Sequence, residues 1–402
     1  MQLVVTIFEP TVDAALNAVR TLDRDHDMIE IRVDAFGGGA LEPFRDATTK
    51  PIIFTNRGGE PVDIDFGLID VEFGHAIKHP ARTVLSFHDF EGMPDLDALI
   101  EAMRAKRCAY TKIAVTPANF ADNERILAPI RPGLTIFGMG ERGLYSRILA
   151  PFLGSELAFV SVDEQRTAAP GQLSLDRALA IYGDRKVRRP DHIFAIVGNP
   201  AGHSLGPAFH NRCFRERGVA GVYTIASVAA FDEVIGPFKN GRLTGMSVTA
   251  PFKENAFEFA QAIRASIGRN AIDARAVNTL VTTSGGVIAD NTDVDGFEAL
   301  LRDQKGKTAA VIGAGGTGRA AVVALRRAGF DVKVYNRTPR DGALPLSHDI
   351  RADVIINTLP AGVHVNVNAT FDAAYAGGSA TGRALFDAQA IRQNELFLKA
   401  FE

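Results

Sequence analysis

Cysteine is scarce in this chain: two residues, Cys108 and Cys213, in 402. They lie too far apart to make a metal-ligand spacing or a disulfide framework, and such usage fits a reducing, cytoplasmic setting. Each reads as a small buried apolar residue and not as a reactive thiol. No apolar run reaches the roughly 20 residues that span a bilayer. The opening Met1-Gln2-Leu3-Val4-Val5-Thr6 lacks the basic segment of a signal peptide and reads as a strand. Charge of one sign is lacking too. The formal net charge is −3, which gives no global field to attract nucleic acid or an anionic membrane. The nine histidines show no ligand spacing, so no metal is expected. There is no internal repeat and no low-complexity tract. What remains is ordinary globular material, 46% hydrophobic and 23% charged. At roughly 100–200 residues per domain, the length suggests two or three domains.

The stretch Gly183-Asp184-Arg185-Lys186-Val187-Arg188-Arg189-Pro190-Asp191 is polar, charged and broken by proline, and a new apolar run starts at Ile193. A boundary is expected there. Before it, eight short apolar runs read as strands, near 2–8, 28–34, 51–56, 68–73, 83–88, 110–115, 134–139 and 156–162. Several are nearly continuous in Val, Ile, Leu and Phe, as in strands covered on both faces. Amphipathic stretches alternate with many of them, clearest over Thr11–Leu22 and Leu96–Arg107. The expected fold is α/β: an N-terminal (β/α)₈ barrel over residues 1–188, small for its type and with trimmed helices. Strands and helices alternate again over 189–299. From about 300 to 402, Ala309-Ala310-Val311-Ile312 and a glycine-rich turn open a Rossmann unit.

Polar residues cluster at the C-terminal ends of the barrel strands, where barrel enzymes place their chemistry. Glu30, Arg32 and Asp34 stand in EIRVD, Arg57 in FTNR, Asp70 and Glu72 in DVEF, His88 and Asp89 in SFHD, Lys112 in YTKIAV, and Arg147 in GLYSR. A lysine in a strand buried on both sides tends to lose its charge and becomes a nucleophilic amine. The other reading of Lys112 is a strand-end side chain snorkelling to solvent, and the segment alone leaves both open. His88 suits a general base, or equally a structural histidine. Taken in order, EIRVD, DVEF, SFHDF, TKIAV, GMGERGLYSR and AAPGQLS resemble type I 3-dehydroquinate dehydratase. The resemblance implies that Lys112 forms a Schiff base and His88 is the general acid and base. Glu30, Arg32, Arg57 and Gln172 would line the substrate site, and Arg147 would hold a carboxylate. The family's further glutamate falls in a shortened loop, where Glu60 is the candidate. Ala168 stands where some members have serine.

In the second half, GNPAGHSLGPAFHN begins at Gly198, SVTAPFK ends at Lys253, AVNT contains Asn278 and NTD contains Asp293. An ammonium and a carboxylate held together can relay the proton of a hydroxyl that loses hydride; two isolated charges would be a surface ion pair instead. The turn Gly313-Ala314-Gly315-Gly316-Thr317-Gly318 follows an apolar strand and precedes a helical run, the context in which such glycines approach a pyrophosphate. The next strand ends in Asn336-Arg337-Thr338, and an arginine there suits the 2′-phosphate of NADP. Together these motifs resemble shikimate dehydrogenase. The resemblance implies that Ser204, Thr249, Asn278 and Gln389 contact substrate, that Lys253 and Asp293 are central, and that 189–299 is a substrate domain to which the C-terminal helix returns. Gly206 replaces the family's usual second serine. Its missing side chain is expected to leave room for quinate, whose carboxylate-bearing carbon is bulkier. The Rossmann part looks reduced by a strand–helix unit.

The two resemblances imply consecutive reactions: Schiff-base dehydration of 3-dehydroquinate, then NADPH-dependent reduction to shikimate. The expected partners are these small molecules, with no nucleic acid and no membrane. The alternatives are a second domain acting mainly on quinate, or a ligand sensor that has lost the chemistry. Lys112, His88, Lys253 and Asp293 argue against the sensor.

Overall fold

Short strands rich in Val, Ile and Phe, with side chains buried on both faces, build the first unit. They are β1 (Gln2–Ile7), β2 (Met28–Arg32), β3 (Ile52–Thr55), β4 (Leu68–Glu72), β5 (Thr83–Asp89), β6 (Tyr110–Val115), β7 (Leu134–Gly138) and β8 (Leu157–Ser161). All eight predicted strands are present. This computed structural model describes residues 1–402 apart from 339–341, 347–349, 361–362, 364–368 and 375–378. The strands pair in parallel in the order β7-β6-β5-β4-β3-β2-β1-β8. Between β7 and β8 no backbone ladder forms; the Leu157 N–H donates to Thr135 Oγ1 across the gap at 3.1 Å. The result is a nearly closed barrel.

The helices of this unit are α1 (Val12–Thr21), α2 (Leu96–Arg104), α3 (Phe120–Leu127), α4 (Leu144–Leu153) and α5 (Leu175–Tyr182). Thr11, Asp95, Asn119 and Ser174 cap α1, α2, α3 and α5 by accepting first-turn N–H groups. No α-helix follows β2, β3 or β4, so the barrel is trimmed on one side only. Parallel pairing puts all strand C-termini at one end. Alternation then aims Glu30 and Arg32, Asp70 and Glu72, and Ser86 and His88 to one face of their strands.

The chain divides into compact units at Asp191/His192. The second unit opens with a mixed sheet of β9 (His192–Gly198), β10 (Gly221–Ser227), β11 (Gly245–Val248), β12 (Ser266–Ile267), β13 (Thr279–Thr283) and β14 (Gly286–Asp290), ordered β10-β9-β11-β13-β14-β12. With it go α6 (Gly206–Glu216), α7 (Asp232–Lys239), α8 (Lys253–Ala262), α9 (Arg269–Ala274) and α10 (Thr292–Leu301). A parallel sheet follows: β15 (Thr308–Ile312), β16 (Asp331–Asn336), β17 (Leu344–Pro345), β18 (Val354–Asn357) and β19 (Phe371–Asp372), ordered β17-β16-β15-β18-β19. That is a Rossmann order without its sixth strand among the described residues. Among the described residues, α11 (Gly316–Arg327) is the one α-helix between its strands.

The last helix, α12 (Ala380–Leu398), serves both sheets. Leu385 joins the apolar cluster around Val311 and Ile356, while Gln393 and Asn394 bond to the first sheet and α6. Gly296 lets α10 approach closely: a Cβ there would lie 2.9 Å from Leu385 Cδ1. Under α12, Phe194, Phe214 and Phe397 pack together, and His210 stacks on Tyr223 at 4.5 Å. Burial lowers the His210 pKa to about 4, which makes it a neutral core imidazole at pH 7.

Candidate active sites

A cavity opens at the C-terminal ends of the barrel strands, lined by Glu30, Arg32, Arg57, His88, Lys112, Arg147 and Gln172, with Phe137, Met139 and Phe159 as apolar walls. Lys112 is 5% exposed. Its Nζ lies 3.8 Å from Glu30 Oε1, 3.9 Å from Asp70 Oδ2 and 3.9 Å from the centre of the Phe159 ring. These are long contacts, short of firm hydrogen bonds. Burial pushes the amine below its ordinary pKa; Glu30 and Asp70 oppose this, and Arg57 and Arg32 add to it. Lys112 therefore points inward and does not snorkel. The Glu30 carboxylate accepts from Thr6 Oγ1 at 2.7 Å and Thr55 Oγ1 at 2.8 Å. Burial raises its pKa, but Lys112 and Arg32 outweigh that and hold it at about 2.

His88 is fixed by a group that strand pairing brings alongside. Its backbone N–H donates to Glu72 Oε1 at 2.8 Å, and its Nδ1 lies 2.9 Å from Glu72 Oε2. Nδ1 carries the proton in this arrangement, leaving Nε2 as the basic nitrogen. Burial lowers the His88 pKa and Glu72 opposes it. Arg57 binds Glu72, reaches Asp70 Oδ1 at 3.0 Å and donates to Ser86 Oγ at 3.1 Å. Arg32 forks onto Asp34, at 3.0 and 2.7 Å. Gln172 donates to Thr6 Oγ1 at 3.0 Å and accepts from the Ala168 N–H at 2.8 Å, tying the last loop to the cavity.

Arg147 differs from these. Inside the barrel its guanidinium lies 4.3 Å from the Phe137 ring centre, and Nε donates to Gly138 O at 3.2 Å. Its buried Nη2 has no partner. Burial lowers its pKa to about 10. A buried cation with an unmatched donor is uncommon in a folded chain.

In the second unit a cavity of about 150 Å³ is lined by Ser204, Gly206, Tyr223, Ser247, Thr249, Lys253, Asn278, Asp293, Thr317, Gln389 and Gln393. Lys253 Nζ donates to Asp293 Oδ2 at 2.5 Å, and Asn278 Nδ2 to Asp293 Oδ1 at 2.8 Å. Lys253 and Asp293 are each 8% exposed, so this is a shielded pair and not the surface pair that two isolated charges would make. Thr292 Oγ1 donates to Gln389 Oε1 at 3.0 Å, which anchors α12 at the cavity. Thr249 packs so tightly on Gly198 that a Cβ there would lie 2.2 Å from Thr249 Cγ2.

The glycine turn joins β15 to α11. Gly313 has φ +107°, and a Cβ at Gly318 would lie 2.0 Å from Gly313 O, so both must be glycine. Ala314 is buried, whereas a Cβ at Gly315 would meet nothing within 4 Å. That open cradle sits at the first turn of α11, whose N-terminus has no side-chain cap. The Gly313 N–H donates to Tyr335 O at 2.8 Å, which sets the end of β16 beside the turn. Asn336 Nδ2 donates to Thr338 O at 2.8 Å, and Arg337 between them is exposed.

A family profile described as type I 3-dehydroquinase matches residues 57–188, and one described as shikimate dehydrogenase substrate binding domain matches residues 196–280. A shikimate dehydrogenase (NADP(+)) of Halothermothrix orenii is 33% identical over 202 residues, 42% of this chain and 68% of that protein. The chain belongs to the shikimate dehydrogenase family and carries a type I 3-dehydroquinase domain before it. The chloroplastic bifunctional 3-dehydroquinate dehydratase/shikimate dehydrogenase of Arabidopsis thaliana is 28% identical over 372 residues, 78% of this chain. The shikimate biosynthesis protein AroDE of Chlamydia pneumoniae is 28% identical over 326 residues, 74% of this chain. This chain spans 60% and 66% of the lengths of those two relatives.

Two expectations need correction. Glu60 does not join the barrel cavity: its side chain is 91% exposed, with His75 at 3.7 Å as its ionic neighbour. In the shortened loop its backbone accepts from Asn56 while the side chain faces water. Nor is there free room at Gly206. A Cβ there would lie 2.8 Å from Tyr223 Cε1 and 3.1 Å from its hydroxyl. The Tyr223 ring, 1% exposed and stacked on His210, fills the space that the glycine vacates. Sequence reasoning also missed residues that complete the sites. Asp70 and Glu72 were visible at a strand end but lacked an assigned partner. Gln393, one helical turn beyond Gln389, donates to Thr279 Oγ1 at 2.8 Å and accepts from Ser247 Oγ at 2.6 Å. Tyr223 had no signal beyond its type. Gly206→Ser is therefore expected to destabilise the second unit by about 1–3 kcal/mol, the usual range for overpacking. Urea unfolding checks this: equal midpoints would show that Tyr223 yields freely.

Proposed function

We propose that the chain dehydrates 3-dehydroquinate to 3-dehydroshikimate in the barrel and reduces that product to shikimate with NADPH in the second unit. The observation that carries the first half is a desolvated lysine amine sharing one cavity with a Glu72-bound His88 and with the unmatched Nη2 of Arg147. The Lys112 amine adds to the ketone and expels water to form an imine. The imine makes the adjacent C–H acidic; His88 Nε2 takes that proton and passes it to the departing hydroxyl. Arg147 receives the carboxylate. Hydrolysis of the imine frees the enone. Glu30, Arg32, Arg57 and Gln172 hold the ring hydroxyls and keep the cavity polar.

For the second half, the Lys253–Asp293 pair supports proton relay at the carbonyl oxygen, with Ser204, Thr249, Asn278 and Gln389 around the substrate. The residues fit NADP: the cradle at Gly315, the close Gly313–Gly318 approach, the uncapped start of α11, and Arg337 at the end of β16. NADPH, when bound, would supply the hydride. Gly313, Ala314, Gly315, Gly316 and Gly318 would seat its pyrophosphate, and Asn336, Arg337 and Thr338 its 2′-phosphate ribose. With Tyr223 filling the space at Gly206, no observation favours the quinate reading. The two tightly held acid–base pairs do not suit a sensor without chemistry. No helix among the described residues is long and apolar enough to cross a membrane.

Incubation with 3-dehydroquinate and NADPH should give enone absorbance followed by NADPH loss. Borohydride added with 3-dehydroquinate should attach mass to the Lys112 peptide. Lys112→Ala should abolish dehydration yet still reduce supplied 3-dehydroshikimate; label on another lysine would remove the assignment. Because burial places the His88 pKa below its ordinary 6.5, the neutral base persists as pH falls through that value. Glu72 raises that pKa, so Glu72→Gln should move the acid limb of dehydration to lower pH; a shift upward would contradict the pairing. Arg337→Ala should weaken NADPH by roughly tenfold or more, about 1.5–3 kcal/mol for a charge-assisted bond. NADH binding should barely change, and equal losses would make Arg337 structural.

A further inference from the structure

Thr317 is the second residue of α11 and belongs to the glycine turn, yet its side chain reaches the cavity of the second unit. Its Oγ1 accepts a hydrogen bond from Lys253 Nζ at 2.8 Å. The same ammonium donates to Asp293 Oδ2 at 2.5 Å. The turn also lies against the stem of the lysine, since a Cβ at Gly316 would be 2.8 Å from Lys253 Cβ and 2.9 Å from Cδ. An ammonium has three N–H donors. One partner leaves it free to rotate about the Cε–Nζ bond. Two partners fix the direction of the third N–H.

We propose that Thr317 is a positioning residue for Lys253: with Asp293 it orients the ammonium so that the remaining N–H serves the oxygen of the substrate. This rests on reading the cavity as the dehydrogenase site. It adds that the turn fitted to the dinucleotide also sets the aim of the lysine, so cofactor seating and acid–base geometry share one structural element. Asp293 reaches the ammonium from α10. The next residue along α8, Glu254, is paired with Arg319 of α11 at 2.9 Å. Neither pair involves the Thr317 hydroxyl, so both persist when it is replaced.

The test compares Thr317→Val, which keeps the branched shape and loses the acceptor, with Thr317→Ser, which keeps the hydroxyl. Thr317→Ala is a second acceptor-free variant, used if valine disturbs folding by circular dichroism. The first readout is the extent of reductive methylation at Lys253 in cofactor-free protein at one fixed pH, followed by peptide mass spectrometry. Without its acceptor the amine is held by fewer partners. Methylation at Lys253 should rise in the valine and alanine variants and stay near the parent in the serine variant. The second readout is shikimate oxidation with NADP⁺. The kcat should fall roughly tenfold in the acceptor-free variants, the usual effect of losing a bond to a charged group. The KM for NADP⁺ should stay within about twofold, and serine should restore the rate. Unchanged methylation and kcat would overturn the proposal. So would a loss confined to the KM for NADP⁺, which would assign Thr317 to cofactor binding alone. If the parent does not oxidise shikimate, the functional reading fails, and the extent of methylation still decides whether Thr317 holds the lysine.

Discussion

A cation taken out of water must find carboxylates or an aromatic face close by, or give up its charge. Four cations in this chain meet that constraint in graded ways. Arg57 is held by Asp70, Glu72 and Ser86, the fullest set of partners among the four. Lys253 has a tight carboxylate and a hydroxyl, which hold it in place without exhausting its donors. Lys112 has carboxylates only at 3.8 and 3.9 Å, near enough to make burial tolerable and too far to pin the amine. Arg147 keeps a buried donor with no partner. The less completely a cation is matched by the protein, the more directly the proposed reactions ask it to meet a substrate.

Much of this architecture was legible before any coordinates. Strands covered on both faces leave continuous apolar runs, and the eight runs of the first unit fell where the barrel strands lie. Lys112 stood out because a charged residue interrupts such a run. The glycine turn was legible because Gly313 and Gly318 answer to backbone geometry, which few other residues satisfy. The expectation of a reduced Rossmann part came from a plain shortage of chain, and the described residues hold five strands there.

What escaped were contacts between elements far apart in sequence. Glu72 meets His88 because β4 and β5 are neighbours in a particular register, and Tyr223 meets Gly206 because β10 lies under α6. A glycine in a motif announces a side chain that is absent; only packing tells what occupies the vacated volume. Glu60 failed for a related reason. In a shortened loop, counting from Arg57 gives a candidate but not a direction, and the backbone bond from Asn56 turns the side chain to water. Thr317 was printed inside the glycine motif throughout, where attention to the glycines hid the one hydroxyl among them.

The barrel has seven laced joints and one that is not. Between β7 and β8 a threonine hydroxyl stands in for a ladder. A cylinder of staves must reconcile the twist of every pair around its circumference, and any misfit accumulates. A joint left open relieves that constraint, and here it falls where α4 and α5 pack against the wall and not on the trimmed side. The loose joint also adjoins the strand from which Arg147 is held through Gly138 O. The least constrained stretch of wall thus stands beside the cation with the least complete set of partners.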